Sequence, residues 1–457
     1  MGRTGRWRKH KREYNFHTCN ENREVISLNS WLAQCGIQRS KNLSLAVFKD
    51  SDRGVLTKKK IKAGEEIVNL PLNLTINVTT LLIDVDFNSI FLDNDKQCLV
   101  EYRQCVTFQS LLAFYLLFIK SQDSNSKWHT YLRSLPHTYT VPYFLKQNVQ
   151  NFLNPEILTV IENQKSVING SFDIFVNILV NTKSTKKNVQ KFSNCFTKSN
   201  YEWAYFTVNT RCVYMDLSKL INLTNKENTI LSIINDNTRI SLCPFLDMIN
   251  HSANCINETR LLVNKEIENI PLVNLKEDIF SDVRFSIYTK NDFQAYSQVF
   301  ICYGDSYNLK LITEYGFYLP SNDLDYVEFE FEKIKLFCSS RDIKLSQEQC
   351  NFMCNHGLNK DLYIDGRGLS FNFYGLLLVV KYFYNEDVNV SRLLYSAAIC
   401  SYDRVLIDFI KPFVKNKLVD MEYALDKLQN FDECNILNNC IQLMCQYVRI
   451  LEKFIKS

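Results

Sequence analysis

The strand-like segments of this 457-residue chain fall in two blocks, with a long helical stretch between them. From Leu45 to Ile76, short apolar runs (LAVF, EEIVNLP, LTI) alternate with turn signals at Asp52-Arg53-Gly54 and Ala63-Gly64, which reads as small β-strands. From about residue 97 to 207 the spacing of apolar residues is helical, clearest in Cys105–Lys120 and Phe172–Leu179. The polar, Lys-rich stretch 181–200 is predicted to be a surface loop. YEWAYFTVNTRCVYMD, from Tyr201 to Asp216, runs from helix into strand, and Phe285–Tyr288 and Val299–Tyr303 read as further strands. Leu309–Tyr315 is predicted as a helix stopped by Gly316, and Ser30 as the N-cap of a short helix, SWLAQ. Beyond about residue 340 the amphipathic spacing is helical again. The expected fold class is therefore α+β: a β-containing region split by a helical insert, then an all-α region.

Length and apolar content suit two to four compact units and exclude a disordered or collagen-like chain. Charge is more informative when divided. Residues 1–12 (MGRTGRWRKHKR) hold six of the 53 Lys and Arg and no acid; the remaining 47 face 49 acids, a net −2. The whole positive excess sits in one tail. The tail lacks a signal peptide's apolar core, and Arg6 stands where the myristoylation pattern needs Ser or Thr. A nuclear-import or nucleic-acid contact and a solvated terminus are both consistent with it. The longest apolar run, Leu111–Ile119, has nine residues where a membrane span needs about 20, so a soluble protein is expected. The 16 cysteines include no Cys-x-x-Cys pair, and Cys350, Cys354 and His356 lack a clean fourth ligand. Reduced thiols and no metal are expected.

No Walker loop, nucleophile elbow, HExxH or dinucleotide fingerprint occurs. What remains is an ordered series: Asp52-Arg53-Gly54-Val55-Leu56, Thr210-Arg211, Asp247-Met248-Ile249-Asn250-His251-Ser252, Cys302-Tyr303-Gly304 and Tyr315-Gly316-Phe317. Alone, each has an ordinary explanation as a turn, an ion pair or a core aromatic. Together they resemble the SET-domain protein methyltransferases, in the branch of the Rubisco large-subunit lysine methyltransferase, where a helical insert splits the SET domain. The resemblance covers about residues 28–320 and is fainter from 340 onward. It implies a basic disordered tail over 1–24, a SET domain over 25–320 with its insert at about 97–207, and a helical substrate-binding domain over 335–457.

The resemblance also implies S-adenosylmethionine as cofactor and Tyr303 as the catalytic residue. Arg53, Gly54, Val55, Arg211, Asp247, Asn250, His251, Tyr303, Tyr315, Gly316 and Phe317 are then cofactor-binding, with Arg211 facing the cofactor carboxylate and Phe317 near the adenine. Val213 and Tyr214 would line the acceptor pocket. Related actin-histidine enzymes carry Asn at the place of Val213, and a valine cannot hydrogen-bond an imidazole. Lysine is therefore the favoured acceptor, with histidine transfer or a non-catalytic scaffold as alternatives. The expected partner is a protein with a lysine-bearing tail or loop, histones included. No membrane partner is expected, and nucleic acid only through the basic tail. The chain is expected to be a monomer, nuclear and cytoplasmic.

Overall fold

A computed structural model describes residues 15–39, 42–92, 94, 99, 101–223, 228–263, 267–395 and 403–457. The basic stretch 1–12 lies outside them. The chain divides into two compact units: residues 1–139 with 165–305, and residues 140–164 with 306–457.

The first unit holds eleven strands among its described residues: β1 (Phe16–Thr18), β2 (Gln38–Arg39), β3 (Leu43–Phe48), β4 (Asp52–Thr57), β5 (Glu66–Pro71), β6 (Cys212–Tyr214), β7 (Ile240–Leu242), β8 (Asn250–His251), β9 (Asn257–Val263), β10 (Val283–Thr289) and β11 (Ser297–Ile301). They form small sheets in the orders β1-β3-β4-β11-β8, β2-β5-β10-β9 and β6-β7. The β8–β11 pair is parallel, joining Asn250 to Phe300 and His251 to Ile301. A parallel neighbour needs a long return connection, so the hairpin of β9 and β10 intervenes between these two strands.

Asp52-Arg53-Gly54 is not the turn that its composition suggests. Only Asp52 is left-handed, at φ 52°, while Arg53 and Gly54 are paired with Val47 and Ala46 inside the β3–β4 ladder. The first helix spans Arg23–Gln34 and is capped by Asn22, whose side chain accepts from Glu24 N and Val25 N. Ser30 is thus a mid-helix residue, accepting a bond from Gln34 at 3.4 Å. The Lys-rich 181–200 stretch is likewise no simple loop, because residues Lys187–Cys195 form a helix. Val189 and Phe192 fall on its inner face three residues apart, and Phe192 packs edge-on against Phe114 and Phe118. Phe114, on the buried helix Phe108–Ser121, also stacks on Phe175 at 4.2 Å. Its lysines are the solvated face of an amphipathic helix.

The second unit is mainly helical, with one small sheet of β12 (Tyr326–Glu328), β13 (Tyr363–Asp365) and β14 (Gly368–Leu369). Its core joins Ile157 and Ile161 to the helices Phe371–Tyr382, Asp403–Leu428 and Asn435–Lys456 through residues such as Leu377, Ile410 and Leu443. Among the described residues no helix is long and apolar enough to cross a membrane. Nor does any group of three His, Cys, Asp or Glu side chains form a metal cage.

Candidate active site

Within the first unit, four of the five separated motifs come together around β4, β8 and β11. Gly54 shows how tight the convergence is. A Cβ at this position would lie 2.4 Å from Gln298 Nε2 and 2.8 Å from Asn250 Nδ2, so any larger residue would have to push those amides aside. Asn250 Nδ2 donates to the carbonyls of Ser51 and Arg53, each at 3.3 Å. Ser51 Oγ in turn donates to Gln298 Oε1 at 3.0 Å. Val55, beside Gly54, is fully buried and pairs with Val299.

His251 Nδ1 accepts from the backbone N–H of Tyr303 at 3.0 Å. Accepting there requires a neutral ring with its proton on Nε2. Burial pushes the imidazole pKa down, which favours that neutral form. The Tyr303 hydroxyl donates to the Ile249 carbonyl at 2.8 Å, and its ring lies 5.2 Å from that of His251. Tyr303 is therefore fixed at both ends to one segment, Ile249–His251.

Two residues before that segment, the Asp247 carboxylate is fully shielded from solvent. Its Oδ2 accepts from Arg211 Nη1 at 3.2 Å and from the Tyr131 hydroxyl at 2.9 Å. Arg211 Nη1 also reaches the Asp247 carbonyl at 3.1 Å. Burial pushes the Asp247 carboxyl up, opposed by Arg211, Tyr131 and Arg53. Burial also works against the Arg211 cation, but Asp247, Tyr139 and Tyr131 outweigh it and hold the proton more tightly. Arg53 is lowered by burial and by Arg211, with Asp247 supporting it. Two guanidinium groups thus share one carboxylate, leaving a local positive charge. Arg211 Nε and Asp247 Oδ1 are buried without a hydrogen-bond partner among the described residues. Such orphaned groups in a cationic corner fit an amino-acid ligand, with a carboxylate for the arginines.

Val213 and Tyr214 lie on β6 opposite Ser241 and Ile240, with Tyr214 exposed. Tyr315, Gly316 and Phe317 belong to the second unit, where the turn Leu311–Tyr315 ends at Gly316 with φ 80°. Gly316 O accepts from Thr140 Oγ1 at 2.8 Å and Asn439 Nδ2 at 3.0 Å, and the Tyr315 and Phe317 rings lie 6.3 Å apart. Sequence reasoning missed Tyr131, Ser51 and Gln298. Tyr131 is one tyrosine of 24 in an ordinary helical segment, and nothing local marks it. Gln298 carried a usable signal, as a polar residue inside an apolar strand next to the Cys302-Tyr303-Gly304 motif.

Comparison with known proteins shows which fold the architecture resembles. One of the solved structures that the chain resembles is titled "Structure of Rubisco LSMT bound to AdoMet". It has a TM-score of 0.58 and 16% identity, over 95% of this chain and 91% of that one. Another is of the SET domain of LSMT bound to lysine and AdoHcy, with a TM-score of 0.59, 16% identity, and 95% and 90% covered. The fold is that of the SET domain. The SET chain is 24% identical over 428 residues to SET domain-containing protein 4 of Artemia parthenogenetica, covering 94% of this chain and 96% of that protein. It is 22% identical to the ribosomal lysine N-methyltransferase set11 of Schizosaccharomyces pombe, over 92% and 96% of the two chains. It is 25% identical to the actin-histidine N-methyltransferase of Gallus gallus, over 68% of this chain and 44% of that protein. No family model matches.

Proposed function

We propose that this SET chain is an S-adenosylmethionine-dependent protein-lysine N-methyltransferase. The observation that carries the reading is the Tyr303 hydroxyl, held on the Ile249 carbonyl at 2.8 Å. That carbonyl lies between the Arg211–Asp247 pair and the Asn250-His251 step. When bound, the cofactor supplies an electrophilic methyl group and a sulfonium charge that favours a neutral amine beside it. Arg53 and Arg211 would hold its carboxylate, and the Ser51–His251 surface its remaining polar groups.

The chain's own residues do the rest by positioning. A lysine amine has a pKa of about 10.4 and must lose a proton to solvent before its lone pair can attack. Because Tyr303 directs its own proton to Ile249, the phenol oxygen keeps lone pairs free to accept an amine N–H. Accepting that N–H aims the nitrogen lone pair and replaces solvent around the acceptor. His251, by gripping the Tyr303 N–H, fixes the backbone from which the phenol projects.

Val213 supports lysine over histidine, since its side chain offers nothing to an imidazole. The actin-histidine relative keeps histidine as the second reading. Mass spectrometry of a histone and non-histone protein mixture, incubated with the enzyme and deuterated-methyl cofactor, tests both. Label on lysine supports the first reading, label on histidine the second, and no label with any acceptor refutes both. Our reading of the basic tail extends to a nuclear and cytoplasmic location, tested by deleting residues 1–12 from a fluorescent fusion.

A further inference from the structure

The second unit contains a cavity of about 700 Å³ that the reaction chemistry does not use. Its wall is apolar, formed by Phe329, Phe413, Met421 and Met444 with Leu153 and Val160. That volume lies within the range of about 300–1,000 Å³ typical of ligand sites. One group in it is unexplained. Asn154, 2% exposed, uses Oδ1 to cap the helix Pro155–Asn181 by accepting from Glu156 N at 2.9 Å. Its Nδ2 is buried with no hydrogen-bond partner among the described residues, and Asn154 lines the cavity. A buried amide donor left without an acceptor costs about 1–3 kcal/mol, so a carbonyl arriving there would be rewarded.

The charge around the cavity is one-sided. Four carboxylates line it, on Glu156, Glu328, Glu330 and Asp420, against the two ammonium groups of Lys333 and Lys417. Lys417 is already engaged, pairing with Glu156 at 3.1 Å and lying 4.8 Å above the Phe329 ring. Lys333 is paired with Glu330 at 2.5 Å. Asp420 and Glu328, both exposed, carry the remaining negative charge.

We propose that this cavity is a docking subsite for the protein substrate, taking an apolar side chain flanked by basic residues. The apolar side chain fills the Phe and Met wall, its backbone carbonyl accepts from Asn154 Nδ2, and the neighbouring cations face Asp420 and Glu328. The inference rests on the protein-lysine reading for the identity of its ligand, because lysine-bearing segments supply that pattern.

The test uses the full chain and a fluorescein-labelled peptide, Gly-Lys-Leu-Lys-Gly, read by anisotropy. Burying the leucine is worth about 1.5–3 kcal/mol, so replacing it by glycine should weaken binding by about tenfold or more. Ala424→Phe, which fills the cavity, should weaken the leucine peptide to the level of the glycine peptide. Asn154→Ser keeps a capping oxygen while removing the donor, and should also weaken binding. Asp420→Lys, on the exposed rim, should weaken it more at low than at high ionic strength. An unchanged melting temperature certifies each variant as folded. No measurable binding to the wild type overturns the proposal, as does equal binding of both peptides or indifference to the substitutions. Methyl transfer is assayed separately. Binding that behaves as stated in a chain that labels no lysine leaves the subsite standing and removes the lysine reading.

Discussion

Replacing Asp247 by Ala removes the carboxylate that accepts from two buried donors, the Arg211 guanidinium at 3.2 Å and the Tyr131 hydroxyl at 2.9 Å, and leaves Arg211 the backbone carbonyl of residue 247 at 3.1 Å. Asp247 is fully shielded and the Arg211 side chain only 15% exposed, so water cannot easily take the acceptor's place. Breaking a buried pair from one side costs about 3–5 kcal/mol, and the orphaned hydroxyl belongs to the same event rather than adding in full. Arg53, also supported by Asp247, makes the remaining cluster a pair of repelling cations. A domain of this size loses about 2–4 °C per kcal/mol, so the melting temperature should fall by roughly 10 °C. Asp247→Asn keeps an acceptor and removes only charge, so it should cost less. Combining it with Arg211→Gln should recover about 1–3 kcal/mol as coupling energy. Tryptophan fluorescence is the suitable probe, because Trp31, Trp128 and Trp203 all lie in the first unit. A loss below about 1 kcal/mol in Asp247→Ala would mean that the guanidinium is hydrated and that the buried-pair argument fails.

Four further outcomes follow from the geometry. Tyr303→Phe should reduce methyl transfer by at least about 100-fold while calorimetry still detects S-adenosylmethionine binding; an undiminished rate removes the phenol from the chemistry. Gly54→Ala should displace the Asn250 and Gln298 amides, destabilise by about 1–3 kcal/mol and weaken cofactor binding, so normal affinity would count against Asn250 as part of the site. His251 should titrate below the usual 6.5 in an NMR pH series. Its folded pKa is depressed, so the stability it contributes is present above the unfolded value of about 6.5 and lost as pH falls through the folded one; a pKa at or above 6.5 contradicts the neutral acceptor. In the second unit, Gly316→Ala combines a φ of 80° with a Cβ 3.0 Å from the Thr140 carbonyl carbon. It should destabilise that unit by about 1–3 kcal/mol, measured by chemical denaturation, and a neutral result would refute the strain.

The sequence made most legible what is local or signalled by unusual residue order. Asn250-His251, Cys302-Tyr303-Gly304 and Arg211 stand out in one dimension, and the structure brings them to one region of the first unit. The α+β organisation was readable from the split β blocks, and the likeness to the SET domain from the ordered motifs. What could not be read depends on partners far along the chain. Tyr131 matters through Asp247, 116 residues away, and Gln298 through Ser51, 247 residues away. The helix Lys187–Cys195 was hidden by composition, since Val189 and Phe192 alone reveal its buried face among polar residues. Ser30 misled because a serine before apolar residues resembles a cap, while Asn22 had already started that helix one turn and more upstream.

The bond from Asn250 to Ser51 spans 199 residues, which has a consequence in time. At about 5–20 residues per second a ribosome needs roughly 10–40 s to cover that distance. For that interval the nascent β3–β4 hairpin lacks β11, its neighbour on the β4 side, and β4 presents an open edge to other chains. The cluster around Asn250 and Tyr303 therefore arises late, when Ser297–Ile301 emerges and closes that edge. A chain halted before Tyr303 would carry β4 and the entire helical insert but not the phenol that the Ile249 carbonyl holds.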